Sequence, residues 1–241
     1  MDKTLIFLHG FGVRGRFWNG FTDFFTSTEG GRFTRVLTPD LQMPDVDTLV
    51  ETTTELVQSE AERSGGVCLV GHSLGGAVAA VVGSRLGDDL VRRLVCVSSP
   101  FGRNHSRLGG VIKLLISHHL IPEFAIRSRF YSKRTPKEIQ KQMFGQVVAE
   151  TPALLDAVLA ETQFHTTVLT HRLSQPSLVM ASEADKVVPA AQSKALAGAI
   201  GAELSIFTAS ERVAHNDMIA APAVRVRAQQ IIGAFLGRRQ A

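Results

Sequence analysis

The apolar run Val67-Cys68-Leu69-Val70 passes directly into Gly71-His72-Ser73-Leu74-Gly75-Gly76. The run is short and bounded by glycine, as a buried strand would be. From Leu74 to Gly87 small apolar residues dominate, and they read as a helix ending at a glycine. A helix start would use Ser73 as an N-cap, and a tight turn would use Gly71 or Gly75. Neither accounts for Gly71, Gly75, Gly76 and Ala77 together. They are required if the strand hands over to a helix that packs back against it at close range. Such a turn leaves the Ser73 hydroxyl exposed at the carboxyl end of the strand. The N–H groups of the helix N-terminus then point at the same place.

The flanking sequence repeats this alternation. Strands are expected at Thr4–Leu8, in the segment Arg35 to Asp40, at Val67 to Gly71 and at Val91 to Ser99. Phe17, Phe21, Phe24 and Phe25 fall on one face of a helix expected from Arg16 to Thr26, with Trp18 packed beside it. Val46, Leu49, Val50, Thr53, Leu56, Val57 and Ala61 form the stripe of a second helix, closed by Gly65-Gly66. Strand and helix in alternation with short connections mean a parallel sheet covered on both faces. From Phe101 to about Ser174 the rhythm stops. Helices are expected over 111–121, 136–150 and 152–169, and no strand. The alternation resumes with strands at 177–182 and 203–208 and helices at 189–201 and 223–237. The chain thus divides into a core of residues 1–100 and 175–241 and a helical cap inserted at 101–174.

Composition narrows the class. Of 241 residues 44% are apolar and 20% charged, enough for a large core and against disorder. No apolar run reaches the roughly 20 residues that span a bilayer. The five-residue apolar stretch after Lys3 is too short for a secretory h-region, so a cytoplasmic protein is expected. Cys68 and Cys96 fall inside expected strands and read as core residues, not a disulfide framework. Residues 101–141 hold nine basic and two acidic side chains. They read first as a solvated helical face and second as an attraction for an anionic substrate. Phe124, Phe130 and Tyr131 lie among these basic residues, with Phe144 just beyond, too few for nucleic-acid stacking.

A serine hydroxyl is a poor nucleophile until a base accepts its proton and an acid orients that base. In a strand-turn-helix setting of the G-x-S-x-G kind the partners follow in the order Ser, Asp, His after later strands. Asp185 follows the strand at 177–182, and His215 follows the strand at 203–208.

With HGFG at 9–12, GHSLGG at 71–76, the stretch Asp185 to Pro189, and His215, the chain resembles the α/β-hydrolase-fold serine hydrolases over nearly its whole length. The resemblance implies an α/β sheet of about six parallel strands flanked by helices, with a cap. It implies catalysis by Ser73, Asp185 and His215, an oxyanion hole from the backbone N–H groups of Phe11 and Leu74, and a substrate pocket touching Phe11, Gly12 and His72. No cofactor is implied, and the expected partner is a small-molecule ester. The family usually has two strands before the HG strand, whereas three residues precede Thr4 here. In this the chain is similar to the compact plant methylesterase and hydroxynitrile lyase branch. That branch's lyases place lysine directly after the histidine, where this chain has Asn216. The segment TPDLQMPD also lacks the glycines often found after the Pro-Asp pair.

Other residues admit other roles. His9 reads as a structural hydrogen-bonder of the loop and His72 as a packing or hydrogen-bonding residue beneath the site. Asp217 lies too near His215 in sequence to orient it, and it or Asn216 is expected to cap the last helix or hold the loop. His118 and His119, being adjacent, point about 100° apart on a helix and cannot chelate together. The expected reaction is hydrolysis of a carboxylic ester of a small or medium apolar substrate through an acyl-enzyme. The alternatives are a thioesterase or C–C bond hydrolase acting on an anionic substrate, a cofactor-free haloperoxidase, or a ligand-binding receptor of the same fold.

Overall fold

The computed structural model describes residues 4–27, 33–102, 123–159 and 172–238. Six strands form one sheet: β1 (Thr4–Leu8), β2 (Arg35–Leu37), β3 (Val67–His72), β4 (Val91–Val97), β5 (Ser177–Ser182) and β6 (Glu203–Phe207). Their spatial order is β2-β1-β3-β4-β5-β6, and every neighbouring pair is parallel. Alternate residues of each strand serve different cores, as the two-residue period requires. Ile6, Leu8, Leu69, Leu94, Cys96 and Val179 pack with the helices Val46–Ser64 and Leu74–Leu90. Leu5, Phe7, Val70, Val95, Val97 and Met180 pack on the other face with the N-terminal aromatics and the helix Pro222–Leu236. This two-sided burial explains the apolar runs of the central strands, such as Thr4–Leu8 and Leu94–Val97.

The helix Val46–Ser64 is capped by Asp45, whose carboxylate accepts the Thr48 N–H at 2.8 Å, and ends at a left-handed Gly65. Its stripe is buried as expected except at Leu56, which is half-buried, and Glu60 is buried with it, paired with Arg35 at 3.0 Å. The expected helix from Arg16 to Thr26 is not continuous. It is a 3-10 turn at Gly15–Trp18 and a short helix at Asp23–Thr26. Gly20 between them sits at φ 74°, a conformation that ends helical winding. The aromatics still converge: Trp18, Phe21 and Phe25 surround the Phe7 ring with centroids 4.9, 6.0 and 5.3 Å away. Neither Cys68 nor Cys96 forms a disulfide.

Between β4 and β5 the described residues form helices Glu123–Phe130, Lys137–Phe144 and Pro152–Leu159, and no strand. The first of these had no counterpart in the sequence reading. The helix expected over 136–150 stops at Phe144 and gives way to a loop that binds the core. The helix expected over 111–121, the His118-His119 pair, and residues 160–171 lie outside the described residues.

Strand and helix approach each other closely at the glycines. A Cβ on Gly75 would lie 2.4 Å from the carbonyl oxygens of both Leu8 and His9, and one on Gly71 would lie 2.3 Å from the Gly75 carbonyl oxygen. These obstacles are backbone, which cannot swing away. Gly75→Ala is therefore expected to destabilise the fold by about 3 kcal/mol or more. A urea unfolding midpoint equal to that of the parent protein would show that the helix can move off β1 without penalty.

Candidate active site

The carboxyl ends of four strands, β1, β3, β5 and β6, deliver the candidate residues to one edge of the sheet, where α/β folds place their ligands. After β3 the chain turns at Ser73, held at φ 53° and ψ −123°. A non-glycine residue tolerates positive φ only when the surroundings enforce it. Here the Ser73 N–H donates to the Val97 carbonyl at 2.8 Å, and the helix Leu74–Leu90 begins at the next residue. The side chain is partly exposed. The loop after β1 passes close by: a Cβ on Gly10 would sit 3.2 Å from Ser73 Cβ.

His9 builds that loop. It is 6% exposed, its Nδ1–H donates to the Gly10 carbonyl at 2.9 Å, and its Nε2 accepts the Leu41 N–H at 3.0 Å. Both ring nitrogens are thus used in structure, with burial as the main force lowering its pKa. Phe11 and Gly12 follow, Gly12 at φ 73°.

His215 is buried after β6, and its Nδ1 lies 2.8 Å from Asp185 Oδ2. A carboxylate only accepts, so Nδ1 carries the hydrogen and Nε2 is left as the basic nitrogen. Asp185 Oδ1 accepts the N–H groups of Val187 at 2.8 Å and Val188 at 3.0 Å. Burial pushes the Asp185 carboxyl up, but the charge and hydrogen bond of His215 and these two amides outweigh it, and the pKa falls below the ordinary value.

His72 lies beneath this pair. Its Nε2–H donates to the His215 carbonyl at 3.1 Å, and the two rings stand 4.7 Å apart. Phe130 flanks the other side of His215 at 5.6 Å. Asp217, fully buried, holds the histidine loop: its carboxylate accepts from the Ala214 N–H at 2.8 Å, the Ser132 N–H at 3.1 Å and the Thr135 hydroxyl at 2.7 Å. The second and third of these bonds tie the loop to the inserted helices. That role had only a loose sequence signal, because the partners lie more than 80 residues away.

Burial, reinforced by the neighbouring His215, lowers the His72 pKa from 6.5 to about 3. In the unfolded chain the ring binds a proton through the interval where the folded ring does not. Stability is therefore complete above pH 6.5 and is lost as pH falls from there toward 3. We expect His72→Gln to remove a slope of about 1.4 kcal/mol per pH unit from the stability profile in this interval. Parallel profiles in urea unfolding between the two limits would refute the assignment.

Residues that escaped the sequence reading include Arg14 and Glu150. Arg14 Nη1 donates to Glu150 Oε1 at 2.8 Å, and the two side chains are 10% and 2% exposed. Beside them, behind the loop, lies a narrow pocket, partly open to solvent, touched by Phe11, Leu41, Leu74, Val78, Glu150 and Leu154. Among the described residues no cluster of three or more His, Cys, Asp or Glu side chains is placed to hold a metal ion, and no helix is long and apolar enough to cross a membrane.

No curated protein sequence matches the chain. Its fold is similar to that of an esterase from Exiguobacterium antarcticum, with a TM-score of 0.78, 16% identity, and coverage of 98% of this chain and 92% of that one. It is similar to a bromoperoxidase from Bacillus anthracis at a TM-score of 0.77 and 18% identity, covering 99% and 93% of the two chains. A thermophilic esterase from Thermogutta terrifontis gives a TM-score of 0.75 at 20% identity, with 98% and 90% covered. The model of the alpha/beta hydrolase family matches residues 5–228. The sheet order, the strained serine between β3 and its helix, and this match agree: the chain belongs to the alpha/beta hydrolase family.

Proposed function

We propose that the protein hydrolyses a carboxylic ester of a small or medium apolar substrate through an acyl-enzyme. Ser73 Oγ attacks the acyl carbon, and His215 Nε2 takes its proton. Asp185 holds the tautomer and stabilises the imidazolium. The N–H groups of Phe11 and Leu74 bind the oxyanion, each worth roughly 3 kcal/mol to the transition state. His215 then returns the proton to the leaving alcohol, and water, activated by the same imidazole, releases the acid. The insertion at 101–174 serves as the cap over the pocket.

The observation that carries this reading is the buried His215–Asp185 pair at 2.8 Å, at the same sheet edge as a serine held at positive φ. The apolar walls around Phe11, Leu74 and Val78 suit an uncharged chain. Lys133, Arg134, Lys137 and Lys141 of the insertion are exposed, which favours a solvated face over a clamp for an anion. The test is hydrolysis of p-nitrophenyl acetate through octanoate beside acyl-coenzyme A. An optimum at short or medium esters supports the reading. Preference for the thioester would replace it with a thioesterase.

A further inference from the structure

The pocket behind the oxyanion loop has two side chains with polar ends on its wall, His9 and Glu150. His9 has both ring nitrogens engaged. Glu150 has one oxygen on Arg14, while its second, Oε2, is buried with no hydrogen-bond partner among the described residues. An acceptor left bare in a buried place is costly, and more so when charged. The fold nevertheless holds it there. Val148 N–H donates to the Gly12 carbonyl at 2.8 Å, and Arg16 reaches the Gln146 carbonyl at 3.4 Å. Thr151 bonds the Pro44 carbonyl. The segment carrying Glu150 is thus fastened on both sides, and the carboxylate is aligned before any ligand arrives.

We propose that Glu150 Oε2 is a specificity point for the acyl chain: it accepts a hydrogen bond from a neutral donor, a hydroxyl, carried by the substrate. The proposal rests on the ester-hydrolase reading above for the direction in which the chain enters. Phe11 and Leu74, whose amides receive the oxyanion in that reading, line the same pocket, so an acyl chain leaving the reacting carbon runs along its apolar wall toward Glu150. The charge balance selects the donor. Arg14 already neutralises Glu150, so an ammonium group would meet the guanidinium as well as the carboxylate. A substrate carboxylate or ketone would face a bare acceptor with its own lone pairs. A hydroxyl fills the vacant lone pair and adds no charge.

The test measures binding and turnover separately. Dissociation constants of methyl hexanoate and of its hydroxy- and oxo-substituted forms, the substituent walked along the chain, are measured by calorimetry on Ser73→Ala, which does not consume them. At one chain position the hydroxy ester is expected to bind about tenfold tighter than the parent, and the oxo ester no tighter. Adding Glu150→Gln turns an amide N–H₂ to the pocket while its oxygen keeps Arg14. The oxo ester is then expected to overtake the parent and the hydroxyl advantage to shrink. Should that variant not fold, Glu150→Asp withdraws the oxygen and keeps the charge, and the same loss of hydroxyl preference is expected. Parity of hydroxy and oxo esters at every position, no measurable binding of any of them, or a preference indifferent to the Glu150 variants overturns the proposal and leaves the oxygen to water alone. Hydrolysis of methyl hexanoate by the wild type is the separate control. Its absence sinks the ester-hydrolase reading, while turnover without hydroxyl preference sinks only the Glu150 site.

Discussion

Ser73→Ala is expected to reduce kcat for p-nitrophenyl esters by about 10⁶-fold and to abolish labelling by a fluorophosphonate. In the proposed mechanism the variant removes the one atom that forms the acyl bond. Little else changes, because the elbow is held by backbone: the Ser73 N–H to the Val97 carbonyl, and the contacts of Gly71 and Gly75. Alanine does inherit the positive φ of 53°, so a small loss of stability is expected beside the loss of activity. Residual catalysis of about 10³–10⁴ over water would reflect the oxyanion hole and binding alone. Retained turnover in a folded Ser73→Ala protein, or a wild type that no fluorophosphonate labels, would remove the serine mechanism.

Asp185→Asn is expected to lower kcat by about 10⁴-fold, with KM changing far less. The asparagine oxygen can still accept from Val187 and Val188, so the turn after β5 survives. Its amide then faces His215 Nδ1 as a donor. The imidazole must present a bare Nδ1 and carry its hydrogen on Nε2, the nitrogen that should accept the serine proton. The variant also has a stability signature. A carboxyl whose pKa is lowered on folding contributes stability above its ordinary pKa of 3.8 and loses it as pH falls through the folded value. Asp185→Asn is expected to flatten unfolding profiles below about pH 4. A fall in kcat of less than tenfold would mean that the buried pair is structural and that another group orients the base.

Much of this site is legible in the linear chain, for a physical reason. Gly71, Ser73, Gly75 and Gly76 are neighbours, and the requirement they meet, a strand turning into a helix against it, is local in sequence. Asp185 and His215 are legible because each follows the next apolar run in a repeating strand-helix alternation. The broken helix between Gly15 and Thr26 shows the limit of periodicity. The aromatic spacing placed Phe17, Phe21 and Phe25 on the core correctly, yet Gly20 decided that the backbone would not wind continuously. The loop after Phe144 is a similar case, since its winding yields to hydrogen bonds with Gly12 and Arg14 that no local pattern announces.

By itself the sequence determined the strand-helix alternation, the two-sided burial of the sheet, the strained serine turn and the chain order of the candidate triad. Each depends on residues within one element or at its end, where periodicity and sterics act over a few positions. Tertiary structure alone decided which distant side chains meet. It set Glu150 against Arg14, 136 residues earlier, to leave one carboxylate oxygen bare, and Asp217 against Ser132 and Thr135. It also slid His72 under His215 at a distance of 143 residues. Contacts of that kind join segments with no shared period, so only the packing of whole elements against one another selects them.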